Sequence, residues 1–242
     1  MRKLLIAAVA ALTVIGVAAA IAIAQTESAT LTTTVSPKKA GTAKKPRSTN
    51  LTFKVVNHNP NATLAKLDIL MPRTLKLVPK GFPKCTADTL DNNGKAACPK
   101  GSKVGTGTAS AVLGVNNPPD KRTPLTFKIT AFTGGANAVN FYLESNELSA
   151  LKITSPGKVS KKGHKLTITV PKSAQSPDGV TYAGLQDILS VLGSTYKGHK
   201  LIQASGCTKG QHLLNAKLYF VNNGADPGGV AAASDGAPCK KP

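Results

Sequence analysis

Residues 51–55, Leu-Thr-Phe-Lys-Val, carry an apolar side chain at every second position, and the same alternation returns at 125–129 (Leu-Thr-Phe-Lys-Ile) and 166–170 (Leu-Thr-Ile-Thr-Val). Successive side chains of an extended strand point to opposite faces, so each segment buries one face and offers the other to water. Further strands are expected at 30–35, 64–71, 75–78, 104–113, 139–143, 148–154 and 214–221, with Asn, Gly, Pro and Lys between them as in turns of antiparallel sheets. A pattern of about ten strands with almost no helix predicts an all-β fold, either an antiparallel β-sandwich or a partly open β-barrel.

Three segments depart from the alternation. Leu185, Ile188, Leu189 and Leu192 recur at i, i+3, i+4 and i+7 before Gly193, a pattern that admits a short helix over 185–192 as well as a strand. Residues 37–48 hold Lys38, Lys39, Lys44, Lys45 and Arg47 without large apolar side chains, and a mobile basic loop is expected there. The Gly-, Ala- and Pro-rich run 224–238 is expected to be loosely ordered. The five-residue match between 51–55 and 125–129 is too short to establish an internal repeat.

The first 24 residues read as an export signal. Arg2 and Lys3 precede an unbroken apolar stretch, 4–24, that ends in Ala22-Ile23-Ala24. Cleavage after Ala24 is expected; the stretch is also long enough to serve as an uncleaved anchor. In either case the rest of the chain faces the exterior, giving an extracellular or cell-surface protein. With 1–24 removed, 29 basic residues stand against 11 acidic ones, a net charge of +18 on 218 residues. That length suffices for one all-β domain over 25–239, followed by a tail at 240–242.

Four cysteines, Cys85, Cys98, Cys207 and Cys239, lie in this exported portion. An even count in an oxidising compartment reads as disulfides, and three pairings exist. Local spacing favours Cys85 with Cys98, across a turn at Asn92-Asn93-Gly94, and Cys207 with Cys239, which fastens the C-terminal end. Chain-entropy arithmetic assigns roughly 3 kcal/mol to the first loop and slightly more to the second. No CxxC pair supports zinc.

The most distinctive stretch is Cys85-x12-Cys98-Pro99-x-Gly101-Ser102-x-Val104-Gly105-x-Gly107, with Ser205-Gly206-Cys207 and Pro238-Cys239-Lys240 near the end. In these residues the chain resembles an uncharacterised family of secreted, Lys-rich, all-β proteins from high-GC Gram-positive bacteria. The resemblance loosely spans 51–239 and implies export and fold, with no activity attached. In the strand after Cys98 one face carries Gly105, Gly107, Ala109, Ala111 and Leu113. Such a bare face predicts close approach by another backbone or by the Cys85–Cys98 bridge. A phosphate loop would need a Gly-Lys-Ser/Thr ending and a following helix, and neither is present.

Catalytic patterns are equally thin. There is no Gly-x-Ser-x-Gly, and the Ser-x-x-Lys spacings, Ser36/Lys39, Ser155/Lys158 and Ser194/Lys197 among them, lack their companion motifs. His58, His164, His199 and His212 form no His-Glu-x-x-His; two of them sit in the tetrapeptide Lys-Gly-His-Lys, at 162–165 and 197–200, where glycine turns flanked by solvated lysines are expected. Glu144 and Glu147 are the candidates for a glycoside-hydrolysing carboxylate pair, but they lie three residues apart at a strand end, and with no Trp sugar-stacking platforms are scarce. No cofactor or metal is indicated.

Lys outnumbers Arg 27 to 4. Lysine suits diffuse attraction rather than bidentate readout, which speaks against sequence-specific nucleic-acid binding and for an anionic cell-wall polymer or membrane surface as partner. The expected contacts are Lys38, Lys39, Lys44, Lys45 and Arg47, together with Lys161, Lys162 and Lys165. The expected function is a non-catalytic module, secreted or surface-associated, that binds anionic envelope material. Its rivals are an exported hydrolase whose site is assembled only in three dimensions and a subunit of a surface assembly. The oligomeric state is not legible.

Overall fold

The computed structural model describes residues 27–148 and 151–242; the expected export signal lies outside them. Strands β1 (Ala29–Ser36), β2 (Arg47–Asn57), β3 (Thr63–Leu70) and β4 (Leu75–Leu77) come first. A helix, α1 (Ala87–Asn93), precedes β5 (Lys103–Leu113), β6 (Thr123–Gly135), β7 (Ala138–Ser145), β8 (Lys152–Val159) and β9 (Lys165–Thr169). After the single turn α2 (Lys172–Gln175) follow β10 (Ala183–Leu192), β11 (Thr195–Tyr196), β12 (His199–Lys200), β13 (Ile202–Ala204), β14 (Gln211–Val221) and β15 (Gly229–Pro238).

The fold is all-β and antiparallel, as the alternation predicts. Thirteen strands form one sheet in the order β15-β14-β3-β9-β8-β7-β6-β5-β10-β2-β13-β4, with β1 also paired to β2, while β11 and β12 make a separate hairpin. Hydrogen bonding therefore runs through one large open sheet and does not separate it into two. A single open sheet bends round a common core that includes Phe53, Leu67, Leu125, Leu166 and Leu218. Hydrogen bonds do not close it into a barrel. The bend brings β1 alongside β15, where Thr33 donates to the Asp235 carboxylate from its backbone N (2.5 Å) and its hydroxyl (2.7 Å).

Three expectations need correction. Residues 185–192 are strand β10 throughout, without a helix. A register shift between Leu185 and Asp187 inserts one extra residue, Gln186, so the inward set runs Leu185, Ile188, Ser190 and Leu192. A bulge thus turns period two into an i, i+3, i+7 spacing that mimics a helix. The run 224–238 is also more ordered than its composition suggests, because β15 pairs with β14 over ten residues, Gly229 to Pro238. Its small inward residues, Ala231 and Ala237, are fully packed, so pairing with a neighbour overrides a weak intrinsic strand preference. Finally, the basic segment 37–48 is tied down. Ala40 is buried and donates to Lys240 O (2.9 Å), Lys240 returns a bond to Lys38 O (2.8 Å), and Gly41 donates to Ala204 O (3.0 Å). Strand β2 already begins at Arg47, and Lys240 is part of this contact rather than a free tail.

Both disulfides pair as local spacing suggests, Cys85 with Cys98 and Cys207 with Cys239. The first does not span a simple turn. It brackets α1, whose N-cap Thr86 accepts from Thr89 N (3.1 Å), whose end is closed by Gly94 at φ 71°, and whose Leu90 packs with Tyr142 and Phe132. The second clamps the open end of the β14–β15 hairpin. The bare glycine face of β5 is explained by backbone approach: a Cβ on Gly107 would strike the Leu189 carbonyl of β10, and one on Gly105 would lie 2.5 Å from the Val191 carbonyl oxygen.

Two stability outcomes follow. Gly107→Val forces β5 and β10 apart and is expected to cost about 3 kcal/mol in urea unfolding. Replacing Cys207 and Cys239 together by Ser is expected to cost about 4 kcal/mol by the chain-entropy relation, read from the same unfolding midpoint.

Candidate functional site

The turn between β8 and β9, residues 160–164, is built by Ser160. Its Oγ accepts from the backbone N of His164 (3.2 Å) and Lys165 (3.1 Å), and its carbonyl accepts from Gly163 N (2.8 Å). Gly163 adopts φ 74°, as expected for a glycine turn, and Gly198 in the twin tetrapeptide adopts φ 83°. The turn lies across the free edge of β4. Leu77 N donates to Gly163 O (2.9 Å), Met71 N donates to His164 O (2.8 Å), and His164 Nδ1 sits 3.0 Å from Leu75 O. A Cβ on Gly163 would stand 2.7 Å from Leu77 O, so this seat requires glycine.

Strand β4 pairs with β13, which pairs with the start of β2, setting Lys76 opposite Gln203 and Gln203 opposite Ser48. Leu75 and Leu77 point into the core, so Lys76 and Gln203 face outward together. The result is a groove of about 690 Å³ whose wall includes Lys76, Lys80, Lys161, Lys162, His164 and Gln203, and no carboxylate. All four lysines are exposed. Like charges gathered without a counter-charge raise the local positive potential and attract a multivalent anion.

The expected contacts divide between two places. Lys161 and Lys162 line the groove. Lys165 does not: its Nζ binds Asp68 Oδ2 at 2.8 Å, and this pairing removes it from the list of available cations. Asp68 is 2% exposed and also accepts from Thr167 (2.7 Å) and Tyr219 (3.2 Å). Burial pushes its carboxyl up, yet Lys165 and these hydroxyls together hold it below the ordinary range. Lys38, Lys39, Lys44, Lys45 and Arg47 are exposed on the segment that crosses the same end of the molecule, beyond β13. Lys200 adds its Nζ there, 2.8 Å from Pro46 O. Lys76 and Lys80 escaped the sequence reading because each stands alone in its local stretch; only the docking of the 160–164 turn on β4 brings them beside Lys161 and Lys162.

The other candidates for chemistry do not converge. Among the described residues no group of three or more His, Cys, Asp and Glu is placed to hold a metal. His212 is fully buried with Nδ1 2.9 Å from Thr74 Oγ1, and burial lowers its pKa. Glu144 pairs with Lys95. Glu147 accepts from Thr126 N (2.8 Å) and Oγ1 (2.6 Å), which hold its carboxyl down at about 2. Both carboxylates are thus engaged in joining strands and turns. A polar hollow beside α1 contains Asp91, Tyr142, Lys152 and Thr154, without a histidine.

Compared with family models, curated proteins and solved structures, the chain matches none. Among the described residues, no helix is long and apolar enough to cross a membrane.

One carboxyl, that of Glu27, is pushed strongly upward. The Asn59 amide donates to Glu27 Oε1 (3.2 Å) and Asp226 Oδ2 (2.5 Å), drawing the two acids together. Burial first, and the hydrogen bond and negative charge of Asp226 next, raise Glu27 from 4.5 to about 7. The folded protein therefore holds an extra proton on Glu27 between those values, and the contribution of this group to stability falls as pH rises from about 4.5 to about 7, opposed by His212, whose lowered pKa favours the folded state as pH rises. Thermal unfolding of the protein and of Glu27→Gln compared between pH 4 and 8 should show the variant rising more steeply, or falling less, with pH across that range.

Proposed function

We propose that the protein is an exported, non-catalytic module that adheres to anionic cell-wall polymer through its basic end. The observation that carries this reading is the carboxylate-free groove in which Lys76, Lys80, Lys161 and Lys162 converge. A polymer bearing phosphate or uronate groups presents repeated charges, and a groove accepts such a strand along its length, whereas a flat membrane surface reaches only its rim. The segment 37–47 extends the positive surface past β13 and gives a long polyanion further contacts. Lysine heads on flexible stems tolerate irregular spacing of the anions, which suits adhesion better than recognition of a defined sequence or stereochemistry. The two disulfides and the positive charge accord with an extracellular setting.

The attraction is electrostatic, so it weakens as added salt shortens the screening length from about 10 Å at 0.1 M to about 3 Å at 1 M. Sedimentation of the exported protein with purified envelopes is expected to fall steeply across that range. Charge reversal by Lys161→Glu with Lys162→Glu is expected to weaken binding about tenfold at low salt, and Lys165→Gln to weaken it less, since that cation already serves Asp68. Binding that persists unchanged at 1 M salt, or in the double variant, overturns the reading. Capture by anionic vesicles and not by vesicle-free wall polymer transfers the partner to the membrane.

A further inference from the structure

Helix α1 packs against the outer face of the sheet beside β8, bracketed by the Cys85–Cys98 bridge. Its Leu90 joins Tyr142 and Phe132 in a small apolar cluster apart from the main core. Between the end of the helix, residues 91–94, and the sheet lies a hollow of about 550 Å³, whose lining is completed by Pro171 and Ser173 at the start of α2. Small-molecule sites run from about 300 to 1,000 Å³. Since about 150 Å³ holds one benzene ring, this space admits two six-membered rings.

The floor of the hollow is hydroxylic. Tyr142 stands opposite Thr154 in the β7–β8 ladder, and Glu144 stands opposite Lys152 two residues along, on the same face. Thr154 is 6% exposed, and its Oγ1 is buried without a hydrogen-bond partner among the described residues. Buried hydroxyls are ordinarily satisfied, and because Thr154 borders the hollow, an occupant can supply what the protein does not. The Tyr142 hydroxyl lies under the end of the helix, 3.7 Å from where a Cβ on Gly94 would stand. Burial first, and the charge of Glu144 next, push this phenol upward, so it stays a neutral donor.

The charges around the hollow cancel. Lys95 engages Glu144, and the two charged side chains in the lining, Asp91 and Lys152, have opposite signs. The groove at the β4 edge, with four lysines and no carboxylate, selects anions; here an anion or a cation gains nothing over a neutral molecule. Asn92, Asn93 and Ser173 add exposed donors and acceptors to the lining. Hydroxyl groups both donate and accept, so a polyhydroxylated ring matches such a mixture on every side.

We propose that this hollow binds a neutral saccharide of one or two pyranose units, its hydroxyls bonded to Thr154 Oγ1 and the Tyr142 hydroxyl, with the asparagine amides of α1 closing on the ring. Tyr142 is the one aromatic in the lining and is 2% exposed, so affinity comes from hydrogen bonds without stacking. Thr154 lies six residues along the chain from the Ser160 turn that carries the basic groove, about 20 Å on an extended strand. The sugar site therefore stands independently of the adhesion reading.

Two-dimensional NMR of the exported protein, titrated with cellobiose, maltose, lactose and N,N′-diacetylchitobiose, tests the assignment. At least one of these is expected to shift the side-chain amides of Asn92 and Asn93 saturably, and to the same extent at about 0.1 M and about 1 M salt, because no net charge takes part. Thr154→Val preserves shape and removes the orphan hydroxyl; it should weaken binding about fivefold while the thermal unfolding midpoint holds or rises. Lys161→Glu with Lys162→Glu should leave sugar affinity unchanged, which separates this site from the groove. Saturation by none of the four sugars overturns the proposal. So does undiminished affinity in Thr154→Val, or in Tyr142→Phe should the first variant misfold. Tighter binding of glucuronate or glucosamine than of glucose at the same amides overturns the neutral class.

Discussion

Every strand edge left open exposes a row of unpaired backbone donors and acceptors, and the way this sheet covers its edges organises the rest of the molecule. Thirteen strands in one open sheet leave one edge each of β4, β15 and β1 without a ladder partner. The sheet bends until β1 and β15 lie side by side, and Asp235 supplies from a side chain what a missing strand would have supplied from its backbone. The edge of β4 is covered by the 160–164 turn, through the bond from Leu77 N to Gly163 O. The end of β15 is held by the Cys207–Cys239 bridge and by the exchange between Lys240 and the 38–40 segment.

The basic groove is a consequence of that edge cover. Ser160 and Gly163 fold the turn tightly onto β4, and the lysines between them, 161 and 162, are carried outward over Lys76 and Lys80. A stabilising contact and a binding surface thus share one piece of backbone. The same economy appears at Asp68, where a buried carboxylate takes Lys165 out of the basic surface and uses it to join β3 to β9. Charge at the solvent face of a strand is interchangeable in sequence, but its meaning depends on whether a buried counter-charge stands within reach.

Much of the fold is legible in the alternation of Leu51, Phe53 and Val55, of Leu125, Phe127 and Ile129, and of their counterparts, because side-chain period two leaves few choices once one face must be buried. The disulfides were legible too, since local pairing joins segments already close in the chain. Where the reading faltered, a partner strand was responsible. In β10 a single inserted residue, Gln186, shifted the inward set and imitated a helix. In β15, alanine and glycine carry little strand preference, and order comes from the ten-residue ladder with β14 and from the disulfide beyond it. At 37–48 the composition is that of a free loop, yet Ala40 is buried and its backbone is paired.

The candidate site was legible only in part. Lys161 and Lys162 stand out in the primary structure as neighbours, and so do the lysines of 38–45, but Lys76 is a single cation in a short strand and Lys80 a single cation in the turn after it. The linear order of residues settles which side chains face outward, how many charges the surface carries and which cysteines meet, since these follow from local period and short spacing. The convergence of four lysines and the loss of Lys165 to Asp68 arise from contacts and registers between elements distant in the chain, the 160–164 turn on β4 and the pairing of β3 with β9. Such registers are chosen by the joint packing of all faces at once, and no local stretch carries that information.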